Sequence, residues 1–346
     1  MRENRSGSQF LIVGEKIHAT RTVLRSGRHF ATAPDGRDAI RFESSTGERY
    51  LAIPAAIRES ADFRAGKVKH VQAAVLALLA GSEPDASDAR AYIETLATRQ
   101  VRAGADWIDL NVDEVAQDGA TQQTSIRLLV RIVEELGPTP PSLDSSNAAV
   151  IGAGIEASAH PERLMLNSAS VERLDVLDMA ASAGCSVIAS AAGEGGLPEG
   201  VEDRVANAGR IVEQAGKRGL AQHAIHVDPL VIPVAVNPGA GADFIDAVSR
   251  IRAALGPEIH ISGGLSNVSF GLPGRKLVND VFIDLAVEAG ADSGIVDPVG
   301  SDMARVFGRD RTSRPYALAA ALLPGADPYG MDFLEAFRAG ELAGEF

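Results

Sequence analysis

Eight short apolar runs recur along the chain, and their number and spacing constrain the fold more than any other feature. Each has the length and apolar character of a buried parallel strand. Segments with apolar residues at helical spacing lie between them, for example 121–136, 201–219 and 244–255. Eight strands that alternate with helices predict a parallel α/β fold of the (β/α)8 TIM barrel type. The runs are FLIVG (10–14), DWIDLNV (106–112), PSLDS (141–145), RLMLNS (163–168), SVIASA (186–191), AIHVDP (224–229), IHISGG (259–264) and SGIVDP (293–298).

The length and hydrophobic content of the chain fit one barrel with additions. Its 346 residues, 45% of them hydrophobic, can bury one large core, so we expect a single domain over 1–346. An insertion is expected at about 19–64, with a small β-meander at 29–54 on the rim of the barrel, because tight-turn signals separate short alternating runs there. The segment 68–81 predicts an amphipathic helix that completes the first strand–helix unit, and 301–346 predicts a C-terminal helical extension.

Charge and composition argue against several classes of protein. A formal net charge of −13 disfavours a nucleic-acid partner, because phosphate backbones are bound by clustered Lys and Arg. The sequence shows no apolar run of about 18 residues and no charged-then-apolar leader, which predicts a cytoplasmic protein without a membrane partner. Cys185 is the only cysteine, and its apolar surroundings predict a buried core thiol. His18, His226 and His260 have no recognisable metal-ligand spacing, so we expect no metal site.

Polar residues stand near the C-terminal ends of the predicted strands. In a (β/α)8 barrel these ends share one face, where the active site lies, so distant residues would converge on one cavity. For Asp144 and Asn147, capping of the following helix is an alternative role. No helix pattern follows Asp228, which favours a ligand role there over a local turn role. The strand-end residues are Glu15, Asn111, Asp144, Asn167, Asp228, Asn267 and Asp297.

The segment 259–275, IHISGGLSNVSFGLPGR, carries the most specific signal in the chain. A strand-like run opens into Gly263-Gly264, where a ligand can approach the backbone closely, and an amide and two hydroxyls follow. Together with LIVGEKI (11–17), SLDSSN (142–147) and HVDPLVIPV (226–234), this segment resembles the pterin-binding methyltransferase family. The resemblance is to the methyltetrahydrofolate:corrinoid protein methyltransferase branch, which includes the folate-binding module of cobalamin-dependent methionine synthase.

The resemblance implies a set of substrate-binding residues. A reduced pterin presents an edge of N–H donors, which carboxylates accept in pairs, so Asp144 and Asp228 are expected to hold that edge with Asn167 beside them. The resemblance further places Glu15 near the ring and Arg275 by the pterin or its glutamate tail. Phe270 could pack in the core or stack on the ligand. The remaining predicted substrate-binding residues are Asn111, Ser266 and Ser269.

Asn267 is the residue to which the resemblance assigns a catalytic role. When a methyl group leaves N5 of methyltetrahydrofolate, negative charge builds on that nitrogen, and an amide N–H can stabilise it. The nucleophile in this family is the reduced cobalt of a corrinoid. The chain has no Asp-x-His-x-x-Gly cobalamin motif, so a separate corrinoid protein is the expected partner, with folate as the small-molecule substrate.

The direction of methyl transfer is left open by the sequence, and we expect a homodimer. Two alternatives remain at this stage. One is a dihydropteroate synthase-like enzyme, which shares the barrel and the pterin-binding aspartates. The other is a non-catalytic folate-binding or corrinoid-docking protein. The Ser-Asn-Val-Ser segment at 266–269 favours the methyltransferase branch.

Overall fold

The computed structural model describes Gly7 and residues 9–345. The strands are β1 (Leu11–His18), β2 (Thr22–Leu24), β3 (Phe30–Thr32), β4 (Asp38–Ser44), β5 (Gly47–Ala52), β6 (Lys67–Lys69), β7 (Trp107–Asn111), β8 (Pro141–Asp144), β9 (Met165–Ala169), β10 (Ser186–Ser190), β11 (Ile225–Asp228), β12 (His260–Ile261) and β13 (Ser293–Val296).

Helices follow the strands of the main sheet. The α-helices are α1 (Ala55–Arg58), α2 (Ala61–Arg64), α3 (His70–Ala80), α4 (Asp85–Arg102), α5 (Gly119–Glu135), α6 (Ala148–Ala157), α7 (Asp175–Ala183), α8 (Val201–Lys217), α9 (Ala240–Leu255), α10 (Arg275–Ala289), α11 (Met303–Gly308), α12 (Arg314–Leu322) and α13 (Met331–Arg338). A short 3-10 helix, Leu265–Asn267, follows β12.

Eight strands form one sheet in the order β12-β11-β10-β9-β8-β7-β1-β13. Neighbouring strands of this sheet pair in parallel, with Leu11 opposite Ser293, Ile108 opposite Pro141 and Val187 opposite Ile225. A parallel bridge between Gly264 and Ile295 joins the chain after β12 to β13, at the two ends of this order. The eight parallel strands therefore form a nearly closed (β/α)8 barrel, which confirms the predicted fold class.

All eight predicted strands are present, and their bounds differ most in two places. β1 continues to His18, so Glu15 lies inside this strand rather than after it. β12 is only two residues long, because the chain turns at Gly263 and Gly264 into the 3-10 helix. Helix α4 has no counterpart among the sequence-predicted helices. Half of its apolar residues are alanines, which give a weak periodic signal.

By internal contacts the chain divides into two units: Glu15–Met165, here the 15–165 unit, and Leu166 onward together with the described residues up to Gly14, here the 166–345 unit. In the 15–165 unit, β3, β4 and β5 form the predicted antiparallel meander. The meander packs on α4, where the Phe42 and Tyr92 rings meet edge to face at 4.9 Å. Arg37 of the meander donates to both carboxylate oxygens of Asp85 at 2.6 and 2.8 Å.

In the 166–345 unit, the C-terminal helices are tied to α10 by buried carboxylates. Asp280 is fully buried and pairs with Arg305 at 2.8 Å and Arg309 at 2.7 Å. Asp284 accepts from Arg311 at 2.7 Å and from the Tyr316 hydroxyl at 2.9 Å. These contacts fix the segment beyond β13 to the helix that precedes β13.

Two further predictions concern burial and hydropathy. Cys185 is 1% exposed, as predicted for a core thiol, and burial raises its pKa to about 12. Within the described part of the chain, no helix combines the length and the apolar character that crossing a bilayer requires.

Candidate functional site

In the 15–165 unit, polar side chains gather after β7 and β8. Asn111 ends β7 and donates its amide N–H to Asp144 Oδ2, at the end of β8, across 3.1 Å. The Asn111 side-chain oxygen in turn accepts from the Asp113 backbone N–H at 3.1 Å. The structure thus brings together two of the predicted site residues, because their strands are neighbours in register.

Asp113 organises the loop that follows β8. Its carboxylate accepts from the Ser145 hydroxyl at 2.5 Å, the Ser146 hydroxyl at 2.8 Å and the Ser146 backbone N–H at 2.9 Å. Asn147 caps α6 by accepting from Ala149 N–H at 3.0 Å. Capping therefore belongs to Asn147, and the Asp144 carboxylate stands apart from the helix start. Sequence analysis missed Asp113, although its position two residues after Asn111 in NVDE offered a signal.

The charge state of Asp144 is perturbed by its surroundings. Burial raises the pKa of this carboxyl well above its usual range, and the neighbouring carboxylate of Asp109 raises it further. The Asn111 hydrogen bond acts in the opposite direction. About a quarter of the Asp144 side chain, 24%, still reaches solvent, so the group is accessible to a ligand despite its dense environment. A carboxyl perturbed in this way is typical of functional sites.

Glu15 and His18 face the same unit from β1. Glu15 is 9% exposed and forms an ion pair with Arg21 at 2.5 Å, which balances the buried charge. His18 Nε2 lies 3.6 Å from Asp144 Oδ2. Burial, with the charge of Arg21, lowers the pKa of His18 to about 4, so the ring is neutral at pH 7. Arg21 and His18 were not predicted as site residues.

In the 166–345 unit, Asp228 ends β11 and begins a tight turn. Its Oδ1 accepts from the Leu230 backbone N–H at 2.7 Å, so the local turn role exists. Oδ2 has no hydrogen-bond partner among the residues that the structure describes, and it is therefore available to a ligand. Burial raises the pKa of Asp228 to about 6, against the effects of the Leu230 N–H and of Arg204.

Two glycines of the loop after β12 leave room for the side chains beside them. A Cβ added to Gly263 would lie 3.1 Å from the Phe244 ring and 3.3 Å from Asp228 Oδ1. A Cβ added to Gly264 would lie only 2.7 Å from Asn267 Nδ2. Gly264 has a φ of −72°, which any residue can adopt, so the requirement for glycine is steric. The absence of side chains at Gly263 and Gly264 therefore leaves the space that the Asp228 and Asn267 side chains occupy.

Asn267 ends the 3-10 helix with an exposed side chain. In the part of the chain that the structure describes, its amide makes no side-chain hydrogen bond. Both its donor and its acceptor are therefore open to a ligand. This is the arrangement that a hydrogen-bonding role toward substrate requires.

Arg275, Ser269 and Ser266 form one cluster within the same loop. Arg275 Nε donates to the Ser269 hydroxyl at 3.0 Å, and its terminal nitrogen donates to the Ser266 backbone oxygen at 2.8 Å. Ser269 is fully buried, and its hydroxyl donates to Asn279 at 2.6 Å. The contacts of Ser269 thus join the loop to the first turns of α10, where they orient Arg275. Phe270 is 63% exposed with the Arg275 guanidinium 5.6 Å from its ring centroid, so the core-packing alternative for Phe270 was wrong.

The remaining strand-end residues have different environments. Asn167 is half-buried within β9, and its peptide bond to Ser168 is cis. Asp297 accepts from the Val299 backbone N–H at 3.1 Å and shapes the turn after β13. Across Gly7 and residues 9–345, no group of three or more His, Cys, Asp or Glu side chains is arranged to hold a metal ion.

Comparison with known proteins relates the chain to a family of enzymes. The sequence profile of the family described as pterin binding enzyme matches residues 85–297. The chain is 32% identical over 241 residues to a methylcorrinoid:tetrahydrofolate methyltransferase from Eubacterium limosum, a match that covers 66% of this chain and 87% of that protein. It is 28% identical over 291 residues to methionine synthase from Mycobacterium leprae, covering 77% of this chain but 22% of that longer protein.

Among solved structures, dihydropteroate synthase from Xanthomonas albilineans in complex with 7,8-dihydropteroate is similar at 16% identity and a TM-score of 0.49. The match covers 66% of this chain and 87% of that one.

Proposed function

Because this chain belongs to the pterin binding enzyme family, we propose that it transfers a methyl group between N5 of methyltetrahydrofolate and the cobalt of a corrinoid carried by a separate protein. The similarity to a methylcorrinoid:tetrahydrofolate methyltransferase supports this reaction. The observation that carries it is the exposed Asn267 amide beside Gly264, without a hydrogen-bond partner in the described residues. A folate and a corrinoid protein are then the two substrates.

Substrate contacts are proposed for both groups of polar residues. Asp144 and Asp228 accept hydrogen bonds from the N–H donors of the pterin, and their charged forms strengthen those bonds. Asn111 and Asn167 add amide groups that both donate and accept. Glu15, which pairs with Arg21 at 2.5 Å, contributes a further acceptor.

The loop after β12 is proposed to serve the reacting atoms and the folate tail. The Asn267 N–H donates to N5, and this hydrogen bond strengthens as charge builds on the departing nitrogen. An amide does not release a proton at neutral pH, so the proton for N5 comes from solvent. Arg275, oriented by Ser269 and Ser266, binds the glutamate carboxylates, which suit its planar array of donors.

The same groups serve transfer in either direction, because the transition state is shared by the forward and reverse reactions. Which direction dominates is set by the methylation state of the corrinoid protein. We further propose that the protein functions as a homodimer, with the corrinoid protein docking as a separate partner.

Single-turnover methyl transfer tests the proposal. The protein is mixed with methyltetrahydrofolate and free cob(I)alamin, and loss of cob(I)alamin is followed by stopped flow. We expect wild-type transfer without added metal, and Asn267→Ala to slow it by about 10²-fold or more while folate affinity falls less. Asp228→Asn is the comparison, since losing a binding group should weaken affinity as well.

Two results would remove the proposal. One is a wild-type protein that binds no reduced folate by calorimetry. The other is a protein that binds folate and forms dihydropteroate but leaves cob(I)alamin unchanged. An Asn267→Ala variant with the wild-type rate would retain the reaction and remove the role of Asn267.

A further inference from the structure

Arg204 on α8 is the largest fully buried side chain that the structure describes, with 1% of its surface exposed. Its Nε donates to the Pro229 backbone oxygen at 2.9 Å, and a terminal nitrogen reaches the Leu230 backbone oxygen at 3.5 Å. Burial lowers the pKa of its guanidinium. A buried cation is costly to maintain, so its position behind one particular turn calls for an explanation.

That turn is strained. Leu230 has a φ of +70°, in the left-handed region that a leucine adopts only at an energetic cost. In this conformation the Leu230 backbone N–H points back to Asp228 Oδ1, 2.7 Å away. Arg204 therefore holds the carbonyls of Pro229 and Leu230 while the amide of Leu230 holds the Asp228 carboxylate. The guanidinium acts on Asp228 through the turn that joins them.

The charged groups around the turn favour one another's charged forms. Asp243 on α9 and Asp228 are the acidic groups that favour the charged form of Arg204. Arg204 and the Leu230 N–H are in turn the groups that favour the carboxylate form of Asp228 against its burial. Without the guanidinium, only the hydrogen bond from the Leu230 N–H would oppose the rise that burial causes in the pKa of Asp228.

We propose that Arg204 is a positioning residue that clamps the Asp228–Leu230 turn, keeps the Asp228 carboxylate charged and oriented, and so sets the pH range in which the protein binds a reduced folate. The identity of the ligand rests on the proposed function. The effect of Arg204 on Asp228 does not, because it is a property of the unliganded protein.

The test measures the titration of the Asp228 carboxyl group directly. Protein with 13C-labelled Asp side chains is titrated by NMR without ligand, and the Asp228 carboxyl resonance is identified by its loss in Asp228→Asn. We expect Arg204→Met to raise the titration midpoint of Asp228 by about one pH unit, because an opposite charge nearby favours the carboxylate. Arg204→Lys keeps the charge and should give a midpoint between those of wild type and Arg204→Met.

Arg250→Met is the matched control. Arg250 of α9 donates two hydrogen bonds to Glu202 of α8, at 2.6 and 2.7 Å, but its side chain is 39% exposed and it is not among the groups that act on the pKa of Asp228. Its loss should leave the Asp228 midpoint unchanged. If Arg204→Met does not fold, the comparison is made between Leu230→Gly and Leu230→Gly with Arg204→Met, since glycine adopts the left-handed conformation without strain.

The outcomes separate the two proposals. An Asp228 midpoint that is the same in wild type and Arg204→Met, or in the two glycine variants, overturns the role of Arg204. Raised midpoints in Arg204→Met, with a matching shift in the pH dependence of methyltetrahydrofolate binding, support it. Raised midpoints in a protein that binds no folate would support the role of Arg204 and contradict the proposed function.

Discussion

Asp228 combines two roles that usually compete for one carboxylate. One oxygen closes the turn at Leu230, and the other has no partner in the described residues. A residue that only shapes a turn has no need of burial, which raises its pKa to about 6. The local contact therefore orients the group and leaves its second oxygen available to a ligand.

This gives a pH prediction for folate binding. Because the pKa is raised from 3.8 to about 6, Asp228 loses its charge as the pH falls through 6, and with it the charge-assisted hydrogen bonds to pterin N–H donors. The dissociation constant for methyltetrahydrofolate should rise up to about tenfold per pH unit below that point. Calorimetry between about pH 5 and 8 measures this.

Asp144 also has a raised pKa and can add its own pH dependence to folate binding. The contribution of Asp228 is therefore measured as the difference between wild type and Asp228→Asn. The Asp228→Asn variant should bind more weakly above pH 7, by about 1.5–3 kcal/mol, and show a smaller pH dependence. Identical pH profiles in wild type and variant would assign the dependence to other groups.

At the scale of elements, the position of the Asn267 amide in the 3-10 turn after β12 depends on the absence of a side chain at Gly264. A methyl group there would lie 2.7 Å from Asn267 Nδ2, so the amide must move. Gly264→Ala should slow methyl transfer by about 10- to 100-fold, since small misplacements of a reacting group are costly. The rate is measured by stopped flow at saturating folate.

Gly209→Ala supplies the control for this change. A Cβ at Gly209, within α8, meets nothing within 4 Å. The variant should keep the wild-type rate and gain about 0.5–1 kcal/mol of stability, because alanine favours the helix. Equal rates for Gly264→Ala and wild type would show that the turn tolerates displacement of Asn267.

The meander is predicted to be part of the folded core of the 15–165 unit. Phe42 is 6% exposed and packs edge to face on Tyr92 of α4. Phe42→Ala should reduce the free energy of unfolding by about 3–5 kcal/mol, whereas Phe270→Ala, at a site 63% exposed, should cost far less. Urea denaturation compares the two. Similar losses would mean that the meander is only loosely attached.

At the scale of the whole molecule, we predict that buried His226 contributes to the loss of stability in acid. His226 is fully buried, 4.6 Å from the His260 ring, with Nδ1 3.0 Å from the Ser293 hydroxyl. Burial, with the charge of His260, lowers its pKa from 6.5 to about 3. As the pH falls, His226 therefore takes up its proton in the unfolded chain before it does so in the folded protein. The contribution of neutral His226 to the free energy of unfolding is complete above pH 6.5 and is lost as the pH falls toward 3.

Urea denaturation at several pH values tests this. His226→Gln should lower stability at neutral pH, but its stability should decline less steeply below pH 6.5, by up to about 1.4 kcal/mol per pH unit. His160→Gln, at a side chain 61% exposed, is the control and should keep the wild-type slope. If the stability of His226→Gln declined with pH as steeply as that of wild type, the loss of stability in acid would belong to other groups.

The sequence by itself determined the eight strands of the barrel, because period and apolar character depend on neighbours along the chain. It also carried the motifs that relate the chain to its family, since these are contiguous. It missed α4, whose alanine-rich face gives little contrast, and it placed Glu15 after β1 rather than inside it.

Only the tertiary structure decided what each polar side chain contacts. Ser269 contacts Asn279 and Arg275 of α10, and Phe270 lies exposed beside Arg275. Arg204 reads in the sequence as one more charged residue of an amphipathic helix, yet it is fully buried behind the Asp228 turn. Such contacts join different elements of the structure, a loop to α10 and α8 to the turn after β11. They follow from strand register and helix packing, and no local pattern encodes them.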